Sequence, residues 1–575
     1  MMEIWEKKYF EWMEHSSLSP EQKIQLSNLN ETEKKENFYK YLDFGTGGMR
    51  GKIGLGTNLI NEFTVKRVTK ALAIYLNQST STSALKKVVI SYDNRKYSKE
   101  FAEYTAEILA SDNIKVYLSD SMRPTPQLSF LVRELRADAG IMITASHNPK
   151  EYNGYKIYDS TGGQITLDVA NELKKILEKI DFELDLKDFS LKEFILKKQV
   201  ILLDGNVDNL YVNKLSNVLQ NPKMVEGNGH KIKVLYTPLH GSGEALVKKS
   251  FKEFGFVNLD IVSEQADGDS NFSTITSPNP EEKSAFKLAL HQAKSKDYDF
   301  IFATDPDADR MGIVLFNDKK EPIFLSGNQI GILILDYLIR SKKNNNEDLS
   351  NYFIAKTIVT SDLGERIASK NQITVKNTLT GFKFIGEQIE LAERHKKNNF
   401  LFGYEESFGY LINPFVRDKD AIQAAIVFAE FVLECKEKDI NPYERLEIIY
   451  KEFGYYKEEL ETLTFEGVEG DRKINDILKK LRENKLVEIG NIKVVWYEDY
   501  LTSTKINLID GNKSRIHLPV SNVIKYVLED GSWICIRPSG TEPKCKIYYS
   551  VNDELREYAD QKMMNLIKVF NELIE

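Results

Sequence analysis

The stretch AGIMITASHNPKEYNGYK, Ala139 to Lys156, decides how the chain folds. Its apolar run stops in Thr144-Ala145-Ser146-His147-Asn148-Pro149, and Lys156 follows ten residues after Ser146. Pro149 and the pair Asn153-Gly154 read as turn formers. The run is therefore expected to be a strand with Ser146 at its carboxyl end. Two readings compete: a buried strand entering an ordinary turn, or a strand that presents Ser146 as a reactive group. A Ser-His pair invites a hydrolase, but neighbours on a strand point to opposite faces. That argues against His147 as the base for Ser146, and no Gly-x-Ser-x-Gly elbow surrounds the serine.

Outward from this stretch the hydrophobic period switches repeatedly. KKVVISYD reads as a buried strand, SKEFAEYTAEILASDN as an amphipathic helix with Ser98 at its N-cap, IKVYLSD as a strand, PTPQLSFLVRELRA as a helix and AGIMITAS as a third strand. This β-α-β-α-β order predicts a sheet with parallel strands. It recurs from KIKVLYTP to DYDFIFATD and again from Asn328 to NNFLFGYEES, with a solvated loop expected at SKKNNNEDLSN. From about Tyr456 the texture changes, and SWICIRPSGTEPKCKIYYS reads as strand, loop, strand.

A chain of 575 residues exceeds one compact core, so about three to five domains are expected. Hydrophobic residues at 42% and charged residues at 29% fit an ordinary globular protein. The 78 basic and 86 acidic residues leave a net charge of −8, spread along the chain, which argues against a nucleic-acid partner. The start MMEIWEKKYFEWMEHSS lacks the apolar core of a signal peptide, and no apolar run approaches the ~20 residues that span a bilayer. Cys435, Cys535 and Cys545 have no metal-type spacing and are expected to be free thiols, which suits the cytoplasm.

In sheets of this kind ligands gather beyond the carboxyl ends of the strands. Four loops there carry chemistry. The first holds Ser146. The second, ATDPDADRMG, puts Asp305, Asp307 and Asp309 at alternate positions, a hard-oxygen set suited to Mg²⁺. It is not an EF-hand, because the sixth position is Arg310 and the twelfth Phe316. Arg310 points to an anion beside the metal. In the third, GYEESFGY, Glu405, Glu406 and Ser407 are groups of the kind that read sugar hydroxyls. In the fourth, RPSGTEPK, Arg537, Ser539, Gly540 and Thr541 can cradle a phosphate. No Walker loop or dinucleotide fingerprint accompanies it.

Together with FGTGGMRG (Phe44 to Gly51), these motifs resemble the α-D-phosphohexomutases, the phosphoglucomutases and phosphomannomutases, in family order along nearly the whole chain. The branch it resembles contains bacterial α-phosphoglucomutases and phosphopentomutases. The resemblance implies three similar mixed α/β domains plus a smaller α+β C-terminal domain, TATA-binding-protein-like, around a central cleft. The expected bounds are 1–210, 211–325, 326–455 and 456–575. It also implies a phosphorylated Ser146, with Mg²⁺ held by Asp305, Asp307, Asp309 and an oxygen on Ser146. Lys156 would move a proton, with its pKa lowered by Arg310 and the metal. His147 and Arg310 would line the transfer site, and Arg50 would help hold the phosphoserine region. Glu405, Ser407, Thr380, Gly381 and Lys419 would bind the sugar, while Arg537, Ser539, Gly540 and Thr541 would anchor the phosphate that is not reacting.

The implied activity moves phosphate between O1 and O6 of a hexose, glucose first, with glucose 1,6-bisphosphate as intermediate and activator. Phosphopentomutase, phosphomannomutase and glucose-1,6-bisphosphate synthase share these residues, as would a metal-dependent phosphatase or a phosphosugar-binding scaffold. The implied partners are small sugar phosphates, with no membrane and a monomer or dimer. Two departures, Ala303-Thr304 before the first aspartate and Ala421 after Asp420, remove no ligand atom but loosen any inference about substrate.

Overall fold

A computed structural model describes residues 2–45, 47–78, 85–180, 183–464, 467–538 and 544–574. Among these, the strands form four sheets. The first runs Gly48–Lys52 (β1), Tyr152–Asp159 (β5), Ala139–Ile143 (β4), Lys87–Tyr92 (β2), Lys115–Ser119 (β3) and Val200–Leu203 (β6). β4, β2, β3 and β6 are parallel; β5 runs antiparallel to that set, and β1, antiparallel to β5, shares the direction of the parallel strands. Val88, Val89, Ile90, Ile141, Met142 and Ile143 are all fully buried, because helices cover both faces of the parallel strands.

Asn153-Gly154 form no turn, contrary to the expectation. They lie inside β5, where a Cβ on Gly154 would sit 2.5 Å from Thr144 O, so glycine serves close backbone approach there. Nor does Ser98 cap its helix. It is the first helical residue, after Tyr97 at φ 65°, and its hydroxyl donates to Asp93 Oδ1 at 2.7 Å. The helix expected to open the third unit at Asn328 runs on to Asn344, into the Lys/Asn-rich stretch expected to be a loop.

The second sheet is ordered Pro322–Phe324 (β11), Met311–Phe316 (β10), Phe300–Thr304 (β9), Val234–Thr237 (β7) and Leu259–Ile261 (β8). The third is Thr374–Thr378 (β13), Tyr352–Thr357 (β12), Asn399–Glu405 (β14) and Gly409–Leu411 (β15). The C-terminal sheet is antiparallel: Tyr455–Thr464 (β16), Lys544–Asp553 (β23), Trp533–Pro538 (β22), Ile524–Leu528 (β21), Ile492–Asp499 (β18), Thr504–Asn507 (β19) and Lys513–Arg515 (β20), with Glu488–Ile489 (β17) beside β18.

One helix fixes the first three units together. Ala421–Glu437 is mostly apolar and buried along nearly its whole length, with its charged residues concentrated in the last turn apart from Glu430. Asp420 starts it, accepting from the N–H groups of Ile422 and Gln423 at 3.0 Å and from Tyr211 OH at 2.6 Å. Its Phe428 meets Phe300 of β9 edge-on, and a single apolar core continues from Phe130 and Tyr211 through Phe302 to Ile354 and Phe402. The C-terminal unit keeps a separate core around Tyr526, Ile534, Tyr549 and Leu566. It joins the third unit through a smaller cluster in which Ile358, Val359 and Leu379 meet Tyr500, Trp533, Cys535 and Tyr548.

Candidate active site

β4 stops at Ile143, three residues short of Ser146, and the chain turns with Ser146 at φ 51°. A left-handed non-glycine residue must be held in place by its surroundings. The holding group is Arg95, whose fully buried guanidinium donates to the carbonyls of Pro149 at 2.8 Å and Tyr152 at 3.0 Å, and to those of Ser146 and Asn148. Asp93 lies beside it, 3.4 Å from Arg95 Nε, and Phe272 of the second unit packs against the guanidinium. The sequence reading missed Arg95. Its signal was an Asp-x-Arg directly after the carboxyl end of β2.

Because Ser146 leaves the strand, the opposite-face argument about His147 fails: His147 Nδ1 lies 3.2 Å from Ser146 Oγ. Desolvation, with the Arg310 and Arg50 guanidiniums, holds that imidazole well below its usual pKa, which favours its neutral form. Ser146 Oγ donates to Asp305 Oδ2 at 2.5 Å. The serine of one unit thus meets the carboxylates of another.

Asp305, Asp307 and Asp309 are all buried and offer one oxygen each within 4.8 Å of one another. Asp305 Oδ1 accepts from the N–H groups of Asp309 at 3.1 Å and Arg310 at 3.0 Å, which shapes the loop, and Ala308 takes φ 50°. Thr125 of the first unit donates its hydroxyl to Asp307 Oδ2 at 2.7 Å and its N–H to Asp307 O at 2.9 Å. Asp307 Oδ1 and Asp309 Oδ1 are buried with no hydrogen-bond partner. Unpartnered carboxylate oxygens in a buried triad are what a hard divalent cation would satisfy, so the residues fit a metal. Burial and the charges of Asp309 and Asp307 push the Asp305 carboxyl well above its usual range.

Lys156, on β5, reaches Asp307 Oδ2 at 2.7 Å and Asp309 Oδ2 at 3.5 Å. Its expected lowered pKa is not found. Burial works against the charge, but the two carboxylates outweigh it and hold the ammonium above its usual value. Lys419 lies 3.1 Å from Asp309 Oδ2 and is likewise raised against the pull of burial. Arg50 on β1 donates from Nη1 to Asn148 Oδ1 at 2.7 Å, bracing the serine loop from the other side.

A cleft of about 680 Å³ extends from this centre. His147, Arg310, Thr380, Gly381, Glu405, Ser407, Lys419 and Arg537 all line it, as do Glu406 and Lys546. Glu405 Oε1 accepts the Gly381 N–H at 2.9 Å, and burial together with Glu406 pushes its carboxyl up to about 7 against the opposing pull of Lys419. Glu406 instead accepts from Thr357 Oγ1 at 3.0 Å and Thr360 Oγ1 at 3.2 Å. Phe408 at φ 63° ends the turn, and its carbonyl accepts the Met311 N–H at 3.1 Å, stitching the sugar-type loop to the aspartate loop. Arg537 pairs in register with Lys546 across β22 and β23. Ser539, Gly540 and Thr541 lie outside the described residues.

Against known sequence families, phosphoglucomutase/phosphomannomutase α/β/α domain I matches residues 42–184, domain II 209–317 and domain III 326–452, and the C-terminal domain of the same family matches 465–564. The chain belongs to the phosphoglucomutase/phosphomannomutase family, the α-D-phosphohexomutases. It is 38% identical over 536 residues to a phosphoglucomutase of Staphylococcus haemolyticus, covering 93% of this chain and 95% of that one. A phosphoglucomutase of Staphylococcus epidermidis is 39% identical over 543 residues, covering 94% and 96%. Among solved structures, the Paramecium phosphoglucomutase pp63/parafusin in its open form superposes with a TM-score of 0.70 at 21% identity, covering 92% of this chain and 94% of that one. A phosphoglucomutase/phosphomannomutase family protein of Burkholderia thailandensis gives 0.64 at 17%, covering 92% and 97%. The four-unit α/β architecture, with its antiparallel C-terminal sheet, is that of this family.

Proposed function

We propose that this phosphohexomutase interconverts α-D-glucose 1-phosphate and glucose 6-phosphate through a phosphorylated Ser146 and enzyme-bound glucose 1,6-bisphosphate. The observation that carries the reading is the 2.5 Å approach of Ser146 Oγ to Asp305, beside two unpartnered carboxylate oxygens. The phosphate of Ser146 passes to the free sugar hydroxyl: the serine Oγ–P bond breaks and a sugar O–P bond forms. The intermediate then turns, and its other phosphate returns to Ser146. Phosphoryl transfer asks the protein chiefly for positioning and charge neutralisation. Asp305, Asp307 and Asp309 would hold Mg²⁺, which when bound with a phosphoserine oxygen polarises the transferring group.

The proton of the attacking sugar hydroxyl passes to His147 Nδ1, 3.2 Å from Ser146 Oγ, whereas Lys156, held as an ammonium by Asp307 and Asp309, can give a proton but not take one. Arg50 and Arg95 hold the loop. Glu405, Ser407, Thr380, Gly381 and Lys419 take the sugar, and Arg537 with Ser539, Gly540 and Thr541 takes the phosphate at rest, one loop from each unit bounded at 1–210, 211–325, 326–455 and 456–575. Three free, buried cysteines support a cytoplasmic site of action. Among the described residues no helix is long and apolar enough to cross a membrane.

The test is an intact-mass measurement after incubation with glucose 1,6-bisphosphate. One added phosphoryl group is expected, and none on Ser146→Ala. An alanine variant that isomerises as fast as the parent refutes the mechanism. A coupled assay across glucose, mannose, ribose and deoxyribose phosphates fixes the substrate.

A further inference from the structure

We infer that Glu281 is a built-in anion that occupies the phosphate-binding face of Arg310 until a phosphoryl group displaces it, and so sets how tightly the cleft takes phosphate. This rests on reading the cleft as a sugar phosphate site. Glu281 belongs to the loop between β8 and β9 and is paired directly with Arg310 Nη1. The backbone at Glu281 is held in place. Asn279 Oδ1 accepts the Glu281 N–H at 3.2 Å, and Asn279 O accepts the Glu282 N–H at 3.0 Å. Pro280 is buried against β10 so closely that a Cβ on Gly312 would lie 2.3 Å from its carbonyl oxygen. The carboxylate is therefore delivered to Arg310 by a fixed backbone.

Arg310 keeps Nε buried without a partner, so Glu281 leaves part of the guanidinium fork unused. A fork of this kind is best satisfied by two oxygens of one anion, which a phosphoryl group supplies. Asn279, Glu281, Arg310, Arg537 and Lys546 all face the same cleft. Among the charges near Lys546, that of Glu281 does most to support its ammonium against burial. Glu281 thus stands between cations of the second and fourth units, where an arriving dianion needs to lie. Two anions there repel at short range in a poorly screened site, so binding phosphate requires Glu281 to yield. While the bisphosphate turns, the returning carboxylate keeps Arg310 neutralised.

The experiment titrates the full-length protein with inorganic phosphate by calorimetry at fixed magnesium, comparing the parent with Glu281→Gln, Glu281→Ala and Glu282→Gln. Glu282 is the adjacent exposed carboxylate and pairs with Ser284, so it controls for net charge. Both substitutions at 281 are expected to lower the phosphate Kd by about threefold or more, with a lower KM for glucose 1-phosphate, while Glu282→Gln leaves both unchanged. An unchanged or weaker phosphate affinity at 281 overturns the inference, since Glu281 would then be orienting Arg310. So does an equal gain in Glu282→Gln, which would reflect the long-range field alone. A parent that fails to isomerise glucose 1-phosphate refutes the proposed substrate, yet the phosphate titration still decides the role of Glu281.

Discussion

Arg95→Met separates stability from catalysis at this site, because one buried guanidinium performs two tasks. It ties down four backbone carbonyls of the serine loop, and it is the ion-pair partner of Asp93. Methionine fills similar volume without charge. Losing the guanidinium strands Asp93, which burial already pushes upward in pKa, and a buried charge left alone costs about 3–5 kcal/mol. Part of that loss is relieved once the carboxylate is removed as well, so Asp93→Asn/Arg95→Met should recover about 1–3 kcal/mol. Turnover behaves differently. With its carbonyls released, Ser146 need not keep φ 51°, and a displacement of about 1 Å costs on the order of 10²-fold in rate. The double variant should therefore regain stability but not kcat. Chemical denaturation measures the first quantity, and a dehydrogenase-coupled assay of glucose 6-phosphate formation the second. If Arg95→Met keeps kcat within about threefold of the parent, or if kcat returns together with stability, the clamp is not what positions the serine.

Glu430, buried in the central helix, is pushed up to about 7 chiefly by burial, so the folded state binds its proton more tightly than the unfolded chain does. Its contribution therefore worsens as pH rises from about 4.5 to about 7, by at most about 3 kcal/mol, and Glu430→Gln should gain thermal stability relative to the parent between pH 5 and pH 8; a difference that stays flat with pH refutes this. Magnesium should raise the melting temperature of the parent and leave that of Asp307→Asn nearly unmoved, as followed by calorimetry, and activity should vanish on chelation and return with the ion. A Cβ on Gly409 would lie 2.2 Å from Lys419 Cδ, so Gly409→Ala should displace this lysine and raise KM by roughly tenfold; an unchanged KM counts against Lys419 as a sugar ligand.

The alternation of strand and helix was legible because each period switch spans enough residues to show which face is buried, and the aspartate triplet was legible because all its ligand atoms lie within five residues. The serine turn was not. Ser146 takes a left-handed conformation without glycine or asparagine, under forces supplied by Arg95, 51 residues away. Asn153-Gly154 misled for the converse reason: the dipeptide that usually marks a hairpin is here a strand segment in which Gly154 admits a neighbouring carbonyl. Glu281 is equally silent in sequence, an acidic residue in a proline-containing turn whose partner lies 29 residues on. Local pattern reports local geometry; contacts between units leave little trace in it.

The division of the cores bears on how such a cleft can work. Ser146 comes from the first unit, its aspartates from the second and the Glu405 loop from the third, yet all must keep fractions of an ångström for phosphoryl transfer. One continuous core, with the Ala421–Glu437 helix through its middle, makes these three units a single packed body, and close-packed interiors resist deformation. The group proposed to anchor the idle phosphate has a different requirement, since on that mechanism it would have to admit a bisphosphate in either of two orientations. Arg537 stands on a unit with its own core, attached to the rest through a small apolar cluster, the Lys525 ammonium, which donates to Ile358 O at 2.8 Å, the Arg556–Glu447 ion pair, and the tyrosines that open β16. A contact of that size can open and reclose without disturbing either core. On the proposed mechanism, rigid packing lies where bonds would be made and broken, and the weaker seam where the ligand would turn.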